Sequence, residues 1–336
     1  MINKVYEKVK DYIKENYKAL LVFIILILVV TVRLPYYISA PGGAIDTSEK
    51  IKVNTDFEMS GSLNMAYVSE IQGTIPLLLY AMINPDWDIE KEEEVTVGSE
   101  SIEDEMYRNQ MLLEESNDIS LLVAYEYSDI DYQTTNNKVY VTYVDDLAKT
   151  SLEVGDEIIA VDGNKITEKQ DLYDLISDKQ VGEQVQFTVI RDKKEKDVVA
   201  TLINVNGVPK VGVIITETLD IESSHHVDLV FDDKESGSSG GLMMTLTIYS
   251  YLNEMDLTNG KKVIGTGTMS RDGTVGEISG VKYKLMGAVK EDADIFLVPK
   301  GNNYNEAKKL KEEKGYDIDL VPVETFEEAL NYLKNL

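Results

Sequence analysis

The sequence predicts an α+β protein, and three stretches carry that expectation. Residues 19–32 form an uncharged apolar run, short alternating β runs follow one another from Val139 to about residue 203, and a serine- and glycine-rich loop, ESGSSGG, stops abruptly against the apolar helical segment LMMTLTIYSYL. With 336 residues the chain has room for two or three domains of roughly 100–200 residues each.

Composition removes several function classes. Cysteine is absent, which excludes disulfide frameworks, thiolate zinc sites and cysteine nucleophiles. The only histidines are His225 and His226, too few for a histidine-rich metal centre, and no metal or other cofactor is expected. No G-x-x-x-x-G-K-[ST] motif occurs in these residues, so no P-loop ATPase is expected here. The net charge is −27, the wrong sign for contact with a phosphate backbone, and nucleic acid is not an expected partner.

The charge is distributed unevenly. Residues 1–18 hold five lysines against three acids, whereas everything after Arg33 carries 27 basic and 57 acidic residues. Between them, ALLVFIILILVVTV reaches about 21 Å as a helix, and extension to Tyr37 reaches about 28 Å against a hydrocarbon core of ~30 Å. Arg33 would snorkel to the headgroups, with Tyr17, Tyr36 and Tyr37 at the interfaces. The expectation is therefore a cytoplasmic N-terminus at 1–18, a single-pass transmembrane anchor at 19–39, and extracellular C-terminal domains, oriented by the positive-inside rule. A cleaved signal peptide is the alternative. Its best small-residue site, YISA, is followed by Pro41, which fits a peptidase poorly.

Residues 40–117 read as an N-terminal region of strands and helices that either stands alone or completes the fold of the C-terminal domain. Residues 41–66 mix turn signals with short strands, TIPLLLYAMI (74–83) reads as one helix closed by Asn84-Pro85, and an acidic linker occupies 88–94. From Ser101 to about Tyr127 apolar residues recur at helical spacing.

Residues 118–203 then alternate strands with one helix: VYVTYV, the turn and strand of SLEVGDEIIAVDGNKI, the helix EKQDLYDLI, and VGEQVQFTVIRD. This series, with L-x-V-G-D-E-I-I-A-V-D-G at its centre, resembles a PDZ domain of the bacterial protease type. The resemblance implies capture of a peptide by strand addition, with Val139, Tyr140 and Val141 on one side of the groove and Leu172 and Ile176 on the other. The family's carboxylate-binding loop has no counterpart; TTNNK stands near its place. A module of this kind could also serve only to restrict access to its neighbour.

The stretch from His225 to Pro299 contains the chemistry. ESGSSGG puts glycines on both sides of a serine, which lets a substrate strand lie against the backbone. The following helix can point its N-terminal N–H groups at a developing oxyanion. A serine hydroxyl needs a base: His225 or His226 with Asp232 or Asp233 can be written as a triad, and a desolvated neutral lysine is the other choice.

Residues 207–336 resemble the proteolytic domain of Lon-type serine proteases. The order of anchor, PDZ module and this domain resembles the membrane-anchored group of that family. The family's G-P-S-A-G reads here Gly237-Ser238-Ser239-Gly240-Gly241, so the resemblance implies Ser239 as nucleophile, with Gly237, Ser238 and Gly240 shaping its loop. Serine in place of proline and glycine in place of alanine make that loop looser than the family's. The family's lysine segment reads Ser279-Gly280-Val281-Lys282-Tyr283-Lys284 and implies Lys284 as base. Lys282, about 200° away on a helix, would face solvent. Thr266 of GTGTMS matches a threonine that bonds near the lysine.

The sequence therefore predicts a membrane-anchored, ATP-independent serine endopeptidase with a Ser-Lys dyad. Its partners would be a peptide or protein substrate and, since Lon relatives often form rings, further copies of itself. The alternative is a catalytically decayed, membrane-tethered peptide-binding scaffold.

Overall fold

The computed structural model describes residues 2–232 and 234–336, and the chain divides into two compact units. The smaller comprises residues up to 40 together with 69–95. Its first element is the helix Ile2–Thr31. The expected span through Tyr37 is not one helix: Pro35 cannot continue a helix, Leu34 N–H donates to Gly73 O at 2.8 Å, and Tyr36 to Ser39 pair antiparallel with Asp88 to Lys91. The apolar stretch is therefore helical only to Thr31, and among the described residues no helix is long and apolar enough to cross a membrane. The eight side chains Leu21 to Leu28 are nevertheless all exposed, which for consecutive helical residues means on every side. The unit also holds the short helix Ile75–Ala81, with Pro76 in its first turn.

In the larger unit, residues 41–68 and 96–336, four parallel strands form the centre. Strand Ser62–Gln72 runs beside Lys262–Gly265, which pairs with Ile295–Pro299, which pairs with Asp319–Val323. Residues ahead of the β-rich module thus supply a strand to the C-terminal sheet. Helix Gly241–Leu252 is buried from Gly241 to Ser250, with Leu242, Met243 and Met244 packed against Leu63, Val263 and Leu297 in the main core. A helix apolar on all faces belongs in such a position, and it must begin abruptly, because polar residues in its first turn would be buried too. That is why the pliable ESGSSGG stops where it does.

The expected helix near 101–127 is continuous from Ile102 to Tyr127, capped by Ser101, whose side chain accepts from Asp104 N. It runs past residue 118, where the β-rich module was expected to begin. That module is a seven-stranded sheet ordered Val213–Ser223, Tyr132–Val144, Glu157–Val161, Gln184–Arg191, Lys194–Thr201 and Lys149–Thr150, with Asn164–Lys165 beside Glu157–Val161. It has its own core of Val141, Ile158, Val161, Val185, Phe187 and Val189, covered by helix Lys169–Ser177. Asp156, fully buried, is held by Arg191 through Nε and Nη2, each at 2.6 Å.

Candidate active site

Three elements meet at Ser239. The residue lies in the turn just before Gly240, the N-cap of the buried helix. Thr266 follows strand Lys262–Gly265, and Lys284 lies in the second turn of helix Val281–Lys290, whose N-cap is Gly280. Lys284 Nζ donates to Ser239 Oγ at 2.6 Å and to Thr266 Oγ1 at 3.1 Å. Thr266 Oγ1 donates in turn to Ser239 O at 3.1 Å, and Gly267 N–H to the same carbonyl at 2.8 Å. The serine, the threonine and the lysine therefore form a closed hydrogen-bonded set.

Lys284 is 4% exposed, packed among Val281, Leu285 and Ala288. Burial pushes its amine down from 10.5 to about 8, and no carboxylate opposes that shift. Desolvation disfavours the ammonium, so at neutral pH a useful fraction of the amine is free to accept a proton. Lys282, on the same helix, is half-buried with its Nζ 4.6 Å from the centre of the Tyr283 ring and does not face the serine.

The loop is fixed on its far side by the long helix. Gly237 N–H donates to Asn109 O at 2.8 Å, Ser116 Oγ to Ser238 O at 3.2 Å, and Ser120 Oγ to Gly241 O at 3.1 Å. Ser116 and Ser120 are buried and one helical turn apart, so they act as two pegs on one face. The sequence reading passed over them. The signal was present as serines spaced i, i+4 inside an apolar stripe, but it points to a partner only once the partner is known.

Gly237 has φ +86°, a conformation that a side chain would strain. At Gly240 the reason is contact: a Cβ there would stand 2.8 Å from Met65 Sδ. No backbone carbonyl among the described residues takes the amide hydrogens of Ser238 and Ser239. These are the donors that an oxyanion at this position would use.

The histidines are placed elsewhere. His226 Nε2 lies 2.9 Å from Asp228 Oδ1, and His225 Nδ1 shares a hydrogen with Ser224 Oγ at 3.1 Å; both residues are exposed. Asp232 N–H donates to Glu235 Oε2, and Asp233 lies outside the described residues. Among these titratable groups it is the Lys284 amine that lies within hydrogen-bond reach of Ser239 Oγ.

The expected peptide groove is also displaced. Val139, Tyr140 and Val141 sit in a strand paired on both sides, with Glu217, Thr216 and Ile215 on one flank and Ile158, Glu157 and the Asp156 carbonyl on the other. A strand with both edges used cannot accept another, and Val139, Val141, Leu172 and Ile176 are core side chains. The edges of the sheet are strands Val213–Ser223 and Lys149–Thr150, and the first lies beside Val139 to Val141. Two of its outward amides, Glu217 N–H and Leu219 N–H, donate to Glu115 Oε1 at 3.2 Å and Asp118 Oδ2 at 2.9 Å. Both carboxylates stand on the long helix, and Glu115 is also paired with Lys169.

The chain is similar to known proteins of two kinds. Residues 128–202 match the PDZ domain family model. The Lon protease of Campylobacter jejuni is 24% identical over 211 residues, 60% of this chain and 25% of that protein. The Lon protease of Mesomycoplasma hyopneumoniae is 29% identical over 99 residues, 30% of this chain and 11% of that protein. The chain carries a PDZ domain, and part of it is weakly homologous to Lon proteases. It spans a quarter or less of the length of those relatives. Among solved structures, the PDZ domain of an SdrC-like protein from Listeria monocytogenes is 28% identical, covering 25% of this chain and 92% of that one with a TM-score of 0.23. The corresponding domain from Listeria innocua is 27% identical, covering 26% and 96%, with a TM-score of 0.22. In this chain the PDZ domain follows directly on the helix that carries Ser116, Ser120, Glu115 and Asp118.

Proposed function

We propose that the chain is a serine endopeptidase that works through a Ser239–Lys284 dyad, needs no ATP, and acts on extended or disordered polypeptides. The observation that carries this reading is the 2.6 Å contact between Ser239 Oγ and a lysine that is buried and faces no acid. Neutral Lys284 accepts the hydroxyl proton as Oγ attacks the peptide carbonyl, forming the C–O bond and placing charge on the carbonyl oxygen. The amides of Ser238 and Ser239, which no backbone carbonyl among the described residues takes, stabilise that charge, whereas Gly241 N–H and Leu242 N–H of the helix start are bonded to Ser238 O and Gly267 O. Collapse of the intermediate breaks the C–N bond, and Lys284 returns the proton to the leaving amine. Water, deprotonated by the same amine, then hydrolyses the acyl-enzyme. Thr266 holds the amine in line through its bond to Nζ. The homology to Lon proteases and the presence of a PDZ domain, a fold that takes extended peptides, both favour a polypeptide substrate.

The same reading seats residues 19–32 in a membrane, with the C-terminal domains on the extracytoplasmic face. Its support is the run of eight consecutive exposed apolar side chains, a surface that water-exposed helices do not carry. The helical part, residues 19–31, reaches about 20 Å, so the bilayer would thin locally and Lys18 and Arg33 would reach outward to the headgroups.

The deciding experiment is labelling of the full chain with a fluorophosphonate probe together with cleavage of an unstructured polypeptide. Ser239→Ala and Lys284→Ala are expected to lose both signals while retaining the parent's circular dichroism, and Lys282→Ala to keep both. Labelling of Ser239→Ala, or full activity in Lys284→Ala, rejects the dyad.

A further inference from the structure

In the smaller unit the exposed face of helix Ile75–Ala81 and the turn after it is apolar. Ile75, Leu79, Met82 and Ile83 are 39%, 61%, 73% and 79% exposed, while Ala81 is buried and Leu77 and Leu78 are half-buried. The exposed four follow the spacing i, i+4, i+7, i+8 of a single helical stripe. On a water-facing surface helix that stripe would be polar, whereas here the exposed face is as apolar as the buried one.

The place of this helix in the unit says what covers it. Leu34 N–H bonds Gly73 O at 2.8 Å and Gly73 N–H bonds Tyr36 O at 2.7 Å, which fixes the start of the short helix to the residues that leave the apolar run. Two residues, Val32 and Arg33, separate Thr31, where the long helix ends, from Leu34, a reach of at most about 11 Å over three steps. That is comparable to the depth of one headgroup layer, roughly 5–8 Å on each side of the hydrocarbon. Tyr80 stacks edge-on against Trp87 with ring centres 4.8 Å apart, an aromatic pair of the kind that sits at headgroup level. Charge points the same way by exclusion: residues 69–95 carry seven acids and only Lys91, so electrostatic attraction to an anionic surface is not what holds this face.

We infer that Ile75, Leu79, Met82 and Ile83 form a second membrane contact, an interfacial stripe that enters the outer headgroup layer of a zwitterionic bilayer beside the anchor. The inference rests on the reading that residues 19–32 lie in a bilayer. With two contacts on one unit, the anchor is fixed in tilt and rotation as well as depth.

Trp87 is the only tryptophan in the sequence, so the full chain reports on this face without labelling. The chain is reconstituted into phosphatidylcholine vesicles containing lipids brominated either near the headgroup end or near the chain terminus. Expected are flotation with the vesicles and quenching of Trp87 by the shallow bromines at least about twofold stronger than by the deep ones. Added anionic lipid should not increase it. Met82→Glu/Ile83→Glu should still float, and should still cleave a soluble peptide at the parent rate, but should lose the shallow quenching. Failure to float rejects the membrane seat itself. Flotation with Trp87 unquenched rejects the interfacial stripe alone, and if cross-linking then joins two copies through Leu79 or Met82 positions, a second protein copy covers the face instead.

Discussion

The buried amine makes a definite demand on the pH dependence of hydrolysis. Lys284 is 4% exposed and is pushed down from 10.5 to about 8 by burial alone. If it takes the proton of Ser239, kcat/KM follows its neutral fraction, roughly one-tenth at pH 7, one-half at pH 8 and nine-tenths at pH 9. The expected profile therefore rises with unit slope below about pH 7, bends near the value set by burial, and is flat from about pH 9, a gain of about tenfold between pH 7 and pH 9. A solvated lysine in its place would be neutral in only about three molecules in ten thousand at pH 7, and the rate would climb about tenfold per unit up to about pH 9.5 and bend only near about 10.4. The assay is steady-state cleavage of an internally quenched unstructured peptide in buffers of constant ionic strength. A near-unit slope that continues to about pH 9.5, or a rate already flat between about pH 6 and pH 8, refutes the reasoning.

Stability gives an independent check on the same group. Its folded value lies below its unfolded one, so the native state binds fewer protons. The contribution to stability is complete above 10.5 and is lost as pH falls through about 8. At pH 7 the cost is roughly 3 kcal/mol as an order of magnitude. Lys284→Met should be inactive yet more stable than the parent at pH 7, by roughly 1–2 kcal/mol once the two lost hydrogen bonds are set against the relief. That advantage should shrink as the pH approaches 10.5.

Three further outcomes follow from particular contacts. Gly240→Ala would bring a Cβ to 2.8 Å from Met65 Sδ, so it should lower stability by about 1–3 kcal/mol and cut the cleavage rate, and Gly240→Ala/Met65→Ala should recover part of the rate; a neutral single variant by denaturation would show that the contact relaxes freely. Thr266→Val removes one bond to Lys284 Nζ and one to Ser239 O, with an expected loss of about tenfold in kcat, and Thr266→Ser should restore most of it; an unaffected Thr266→Val makes the threonine an ordinary core residue. Asp118 is pushed up to about 7, chiefly by burial, against the opposing hydrogen bond from Leu219 N–H, with Glu114, Glu115 and Asp220 adding to the rise. The stabilisation it gives is complete below 3.8 and lost as pH rises through about 7, so Asp118→Asn, which keeps an acceptor without the charge, should raise the denaturation midpoint at pH 8 and leave it unchanged near pH 4.

What could be read in the sequence and what could not divide along a physical line. ESGSSGG and the lysine segment were legible because each residue there answers a local demand. Gly237 stands at a left-handed φ, the apolar helix must start without polar side chains, and an uncompensated lysine stands among Val281, Leu285 and Ala288. The end of the first helix was partly legible, in Pro35, but what finally turns Tyr36 to Ser39 into a strand is pairing with Asp88 to Lys91, about fifty residues on. The peptide groove was misplaced for the same reason. VYVTYV has the composition of a strand whether it lies at an edge or in the middle, and only its pairing with residues 213–217, about seventy positions away, on one side and with Glu157 and Ile158 on the other decides that both its edges are used. A pattern of period two specifies which face of a strand is buried but not which neighbours it has. Sequence therefore locates residues that answer a local demand better than it locates the free edges of a sheet. On the edge strand Val213–Ser223, no pattern in the sequence marks Glu115 and Asp118 of the preceding helix as holding two of its outward amides, so any peptide that adds along it must first displace the helix that pins the Ser239 loop.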